Sequence, residues 1–303
     1  MSIIAELATK VLPLYGLVVV GFFLNRRFKV PEQYFSAALL YVLLPILVVD
    51  NVMQASSTQL AVIPPLTFLL ATLMNIPARL AARTIAPDYD KNLLASTFSF
   101  FNVAFFGIPT VTALFGQEQL TTVICAYIGT ALYGDTIGYY LVARTKLPVG
   151  QAVSKVFKIP LLYAFLIGLV LNLNGVKSPQ AWSPVLDGLG WIVSAVGMLM
   201  IGFNLSGVTL KTVNYVSLVK ITAARTVGAA LLMGGLLWAE YTWIGELERK
   251  SQQVLMLIPF FPVAVTVTVF ASFLETEEES AASLVAFTAF VSLLLVPLVS
   301  LFF

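Results

Sequence analysis

Few side chains in this 303-residue sequence can do chemistry, and those that can are scattered through apolar stretches. There is no histidine and a single cysteine, Cys125. Histidine-metal sites, Ser-His triads, histidine proton relays and an intrachain disulfide are therefore excluded, and Cys125 reads as a small buried hydrophobe. No Walker loop, nucleotide-binding glycine fingerprint or metal-ligand spacing is present, so neither an enzyme nor a cofactor is expected. What remains is an amide and a glycine-proline break, Asn102-Val-Ala-Phe-Phe-Gly107-Ile108-Pro109, a second proline pair in Pro259-Phe260-Phe261-Pro262, and an isolated acid, Asp135.

The two proline segments interrupt apolar runs. Proline lacks an N–H, clashes with the preceding turn and pushes the residue before it towards an extended conformation. A helix through Gly107-Ile108-Pro109 should break there, with a half-helix starting at Thr110. A second half-helix should start at Val263, after Pro262. Pro109 and Pro262 lie 153 residues apart, half the chain length. Paired interruptions at corresponding positions point to a binding site in membrane carriers. Two helix N-termini converging at the bilayer midplane would favour an anion. The Asn102 amide can donate to a carboxylate or accept from its protonated form. Thr110, Thr266 and Thr268 add hydroxyls. The bland alternative is that the prolines only kink their helices, as Pro13, Pro45 and Pro297 are read to do.

Asp135 lies mid-span, and an acid at that depth is by default functional. It can bind and release a proton in each cycle or help hold a cation. The alternative is an acid that only hydrogen-bonds Tyr127, Tyr139 or a backbone break. Asn204 either faces the transport path or makes an interhelical hydrogen bond. Asp50 and Asn51 read as an interfacial helix end, and Arg79, Lys220 and Arg225 as snorkelling cations. Trp182, Trp191, Trp238 and Trp243 read as an outer aromatic belt.

These residues need a membrane to position them. The chain is 59% hydrophobic and 11% charged, with a mean hydropathy of +0.94. That leaves too little polar surface for water, and a net charge of +2 is too weak to suggest nucleic acid. A spanning helix needs about 20 apolar residues. Ten segments qualify: 4–24, 34–54, 61–83, 91–115, 119–142, 156–173, 186–206, 214–239, 251–273 and 280–302. The N-terminus lacks a signal-peptide pattern, so the first segment is expected to stay as a span. Thirteen of the 17 Lys and Arg fall on one side of this arrangement, which places both termini outside the cytoplasm, in a cytoplasmic (inner) membrane. Acidic Glu275, Glu277, Glu278 and Glu279 read as a solvated loop. Five spans per half require the second half, 151–303, to be inverted relative to the first, 1–150.

At these residues the sequence resembles the auxin efflux carrier family. The resemblance rests on Asn102-x4-Gly107-Ile108-Pro109 with Leu114-Phe115-Gly116, and on Pro262 with Val269-Phe270-Ala271 and Leu295-Val296-Pro297. It implies the all-α fold shared with bile-acid symporters and sodium/proton antiporters. In that fold spans 1, 2, 6 and 7 form a scaffold that dimerises, and spans 3–5 and 8–10 a mobile core in which broken spans 4 and 9 cross. It implies elevator transport of organic acids, with Asn102, Pro109 and Pro262 at the crossover and Asp135 in the helix where the related antiporters bind ions. The chain lacks the long central loop of plant PIN-type carriers, having only Arg144 to Lys158 there, and 61–76 carries no charge. It looks like a compact prokaryotic member, and auxin as substrate is not implied.

The expectation is a secondary carrier of a small carboxylate. Its site is Asn102, Gly107, Ile108, Pro109, Thr110, Pro262, Val263, Thr266 and Asn204, and Asp135 serves a proton or sodium gradient or the membrane potential. The alternatives are a cation/proton antiporter and a non-transporting membrane receptor. The expected partners are the carboxylate, the coupling ion, the lipid bilayer and a second copy of the chain.

Overall fold

The structure is a computed structural model that describes residues 3–87, 89–138, 160–206, 215–264, 266–268 and 278–302. The described residues are helical apart from short connections and one isolated β-bridge. In chain order the helices are α1 (Ile3–Phe28), α2 (Glu32–Ala38), α3 (Leu44–Gln54), α4 (Ser57–Leu73), α5 (Asn75–Thr84), α6 (Lys91–Ser99), α7 (Ile108–Phe115) and α8 (Leu120–Tyr133). They continue as α9 (Pro160–Leu173), α10 (Ser183–Ser206), α11 (Tyr215–Trp243), α12 (Arg249–Leu257) and α13 (Glu278–Ser300). Five helical stretches among the described residues are long and apolar enough to cross a membrane: Ser57–Thr84, Gln117–Gly138, Gln180–Phe203, Tyr215–Trp243 and Ser280–Ser300. Large apolar side chains such as Val219, Val227, Leu231, Leu166 and Ile167 stand exposed on α11 and α9. Lipid, which needs no polar partner, is the solvent for such faces. The chain is a multi-pass membrane protein.

Without a hydrophobic drive between helices in lipid, close approach through small residues holds them together. Helix α1 packs along α10 at two glycines. A Cβ on Gly21 would sit 2.3 Å from the Leu199 carbonyl oxygen, and one on Gly202 2.1 Å from that of Val18. Asn25 closes this contact, its Nδ2 donating to Phe203 O at 3.1 Å and Ser206 Oγ at 2.9 Å. Helix α3 packs on α9 at Gly168, and Asn172 Nδ2 donates to the carbonyls of Val52, Met53 and Ala55 at 2.9–3.0 Å.

A second group gathers around α4 and α8. Helix α4 starts from a Ser56–Gln59 capping box and stays helical through Pro64 and Pro65. Gly129 of α8 lies against the Pro64 carbonyl, and Thr67 Oγ1 donates across to Ala126 O at 3.1 Å. At one end, side chains link this pair to α12: Thr122 Oγ1 lies 3.2 Å from Ser251 Oγ and 3.0 Å from Gln119 Oε1. Lys250 pairs with Glu118 at 3.0 Å.

Candidate functional site: where two interrupted helices meet

The first interrupted helix begins with α6, whose N-cap Asp90 accepts from the backbone of Asn92 and Leu93. It ends at Ser99. Phe100 is extended, and Asn102 adopts φ −78°, ψ 67°. The helix restarts at once through a wide π-helical turn, Val103–Gly107, that runs into α7. Asn102 is the N-cap of the restart: its Oδ1 accepts from Phe105 N at 3.1 Å, and its backbone oxygen accepts from Gly107 N at 3.0 Å. The second begins with α12, tightens into a 3₁₀ turn at Ile258–Phe260, and runs extended through Phe261 to Ala264 before helical residues 266–268.

The two extended breaks pair with each other. Asn102 N donates to Pro262 O at 2.9 Å and Ala264 N to Phe100 O at 3.0 Å. Phe101 and Val263 face one another as an antiparallel bridge between these bonds. Broken helices must satisfy their freed backbone groups inside the protein, and here each break serves the other. Between them Val263 N donates to Thr288 Oγ1 of α13, at 3.1 Å. Phe106 and Phe261 stack edge to face, with ring centroids 5.6 Å apart, and a Cβ on Gly107 would strike the Phe261 ring.

The register differs from the one expected from sequence. Gly107-Ile108-Pro109 is helical; Gly107 has φ −64°, ψ −51°, and Pro109 sits in the first turn of α7. Proline is tolerated there, and the π-helical turn before it absorbs the missing donor. The break therefore falls at Phe100–Asn102, and the half-helix starts at Val103 rather than Thr110. Val263 lies in the extended bridge rather than at the start of a half-helix. The residues paired are Phe101 and Val263, 162 apart, not Pro109 and Pro262.

Asn102, Pro262 and Val263 thus come together at the crossing, with Gly107 and Ile108 buried one turn away. Thr110 is buried with a hydroxyl that has no hydrogen-bond partner among the described residues. Thr266 is exposed and Thr268 half-buried, just beyond the second break. Asp135 falls in a π-helical turn, Gly134–Gly138, and Asn204 near the end of α10; both side chains lie outside the described residues, as does Tyr139. So does most of the acidic run at 275–279. Asp50 and Asn51 lie in the last turn of α3 as expected, and both are buried. Asp50 accepts from Ser178 and Gln54, and Asn51 Oδ1 from Thr121 Oγ1 at 3.0 Å.

The buried cation at the crossing that the sequence reading missed is Arg225. It does not snorkel: it is 1% exposed, and its guanidinium donates to Thr97 O (2.8 Å), Phe261 O (2.9 Å) and Phe100 O (3.4 Å). It also lies over the Phe101 ring, 4.5 Å from the centroid. The available signal was helical phase. Leu218, Ile221, Thr222, Ala229 and Met233 form the buried stripe of α11, and Arg225 falls on that stripe.

Discontinuous helices joined at their breaks inside an apolar bundle are the architecture of a membrane transport protein. The family model described as "Membrane transport protein" matches residues 143–300, and the chain belongs to this family, that of the auxin efflux carriers. An uncharacterized transporter of Methanothermobacter thermautotrophicus is 26% identical over 298 residues, covering 95% of each chain. The family match takes in α11 and the second break, and the full-length relative extends over the first break as well.

Proposed function

We propose that this chain is a secondary carrier of a small carboxylate that works by an elevator movement. The observation that carries this reading is the mutual pairing of the two interrupted helices at Phe100–Asn102 and Phe261–Ala264, with the Asn102 amide and Arg225 beside it. In the proposed arrangement ten spans form two inverted repeats. The crossing supports this, because it pairs one break from each half of the chain, at Phe101 and Val263.

Packing supports a division into scaffold and core. The glycine contacts of α1 with α10 and of α3 with α9 pair span 1 with span 7 and span 2 with span 6. The links among α4, α8 and α12, and the crossing itself, join spans 3–5 and 8–10. The core would carry the substrate across as one body. Asp135 is the proposed site of proton or sodium coupling. A buried arginine at the crossing favours an anion over the cargo of a cation/proton antiporter. Both termini outside the cytoplasm and a homodimer built on the scaffold complete the proposal.

The test is uptake into vesicles holding the purified chain, with imposed proton, sodium and potential gradients and a carboxylate panel. Saturable uptake of at least one carboxylate is expected, and Asp135→Asn should keep binding but lose dependence on the ion gradient. Binding without flux would instead make the chain a receptor, and proton release on adding Na+ with no carboxylate uptake would make it an antiporter.

A further inference from the structure

We infer that Arg225 is the positioning and selectivity residue of the crossing: it ties the C-terminal ends of both interrupted helices together and sets the sign of the ligand bound there. The inference rests on the carrier reading above and names the group that makes the substrate an anion.

Arginine presents five N–H donors in a planar fork. Three go to backbone oxygens at two helix ends. Thr97 O and Phe100 O belong to the last turn of α6 and the residue just past it, and Phe261 O follows the 3₁₀ end of α12. A helix C-terminus carries roughly half a negative charge and an N-terminus roughly half a positive one. Two C-terminal ends meeting here amount to about one negative charge, which one guanidinium matches. Among the described residues no carboxylate pairs with Arg225. The helix restarting at Val103, capped by Asn102, therefore keeps its positive pole uncompensated beside Phe101, whose ring holds the guanidinium. Without Arg225 the two C-terminal ends would cancel that pole, and the crossing would have no preference for an anion. On the last turn of α6 and one turn before Arg225 on α11, Thr97 Oγ1, Ser99 Oγ and Thr222 Oγ1 are buried hydroxyls with no partner among the described residues. Polar groups left in that state inside lipid are costly unless something else meets them during function.

A clamp with no electrostatic role would show the same bonds, so the experiment must separate charge from geometry. The full chain is purified as wild type, Arg225→Lys and Arg225→Gln. Each is titrated with acetate, malonate and succinate and with the matching primary amides, while its melting temperature is recorded. Lysine keeps the charge but loses the fork. Arg225→Lys should melt lower and bind more weakly, yet still prefer acid over amide. Arg225→Gln should lose that preference by about tenfold or more, as expected for a unit charge removed from a low-dielectric site. A retained preference in Arg225→Gln, or a loss in Arg225→Lys equal to that of Arg225→Gln, overturns the inference while leaving the carrier reading in place. If Arg225→Gln does not fold, Arg225→Lys decides: preference kept supports the inference, preference lost overturns it. A wild type that binds none of the acids overturns both.

Discussion

The contact of α1 with α10 and the crossing of the two interrupted helices both bring backbones within van der Waals reach, by opposite means. The first uses glycines at positions where both helices run on uninterrupted, so that the backbone hydrogen bonds there stay within each helix. The second ends two helices, exposes their backbone groups, and satisfies them with each other, with Asn102, with Thr288 and with Arg225. Among the described residues, buried hydroxyls without a partner, at Thr97, Ser99 and Thr110, lie within a few turns of the breaks and not at the glycine contact. Glycine packing makes a seam that interrupts neither helix. The crossing keeps polar groups available, at a cost in stability for which the proposed binding role would account.

The comparison can be broken first at the seam. Gly202→Leu puts side chain where the Val18 carbonyl and Phe22 amide already stand, so folded protein should be lost, or destabilised by about 3 kcal/mol or more. Size-exclusion chromatography and melting in detergent read this, and a normal melt would show that the helices part easily. Next comes the crossing: Thr288→Val removes the acceptor of the buried Val263 N–H and should cost about 1–3 kcal/mol. The melting temperature should fall while the protein stays monodisperse. Asn172→Leu, at the glycine contact of α3 with α9, tests a polar tie away from the crossing. It should cost about 1 kcal/mol and leave carboxylate affinity unchanged, whereas a changed affinity would blur the division between the two regions. Smallest is Thr110→Val, which deletes a hydroxyl with no partner among the described residues and should alter stability by no more than about 0.5 kcal/mol. A large loss there would mean that the hydroxyl is already engaged.

Hydropathy made the membrane legible, because no other solvent suits 59% apolar residues. Pro262 marked the second break correctly. The first break was misplaced by several residues because Gly-Ile-Pro signals a break only when a helix continues regularly through it. Here the chain had already broken at Phe100–Asn102, and Pro109 fell in the first turn of a new helix, where its missing donor is harmless. Nothing local marks Phe100 and Phe101 as extended; their pairing with residues 262–264 imposes it, and that contact is invisible in a linear reading. Arg225 was misread for a related reason. Depth counted along α11 suggested a snorkelling cation, whereas helical phase turns it inward, and phase is faint in a helix that is apolar nearly all round.

The central claim is that the crossing capped by Asn102 is where the carboxylate binds. Thermal shift of the purified chain against acetate, malonate and succinate, in wild type and Asn102→Ala, tests it most directly. Loss of this N-cap should lower the melting temperature by an amount equivalent to about 1 kcal/mol and leave a folded protein. At least one carboxylate should then stabilise the wild type and fail to stabilise Asn102→Ala. Equal stabilisation of both proteins would place the substrate elsewhere and contradict the account.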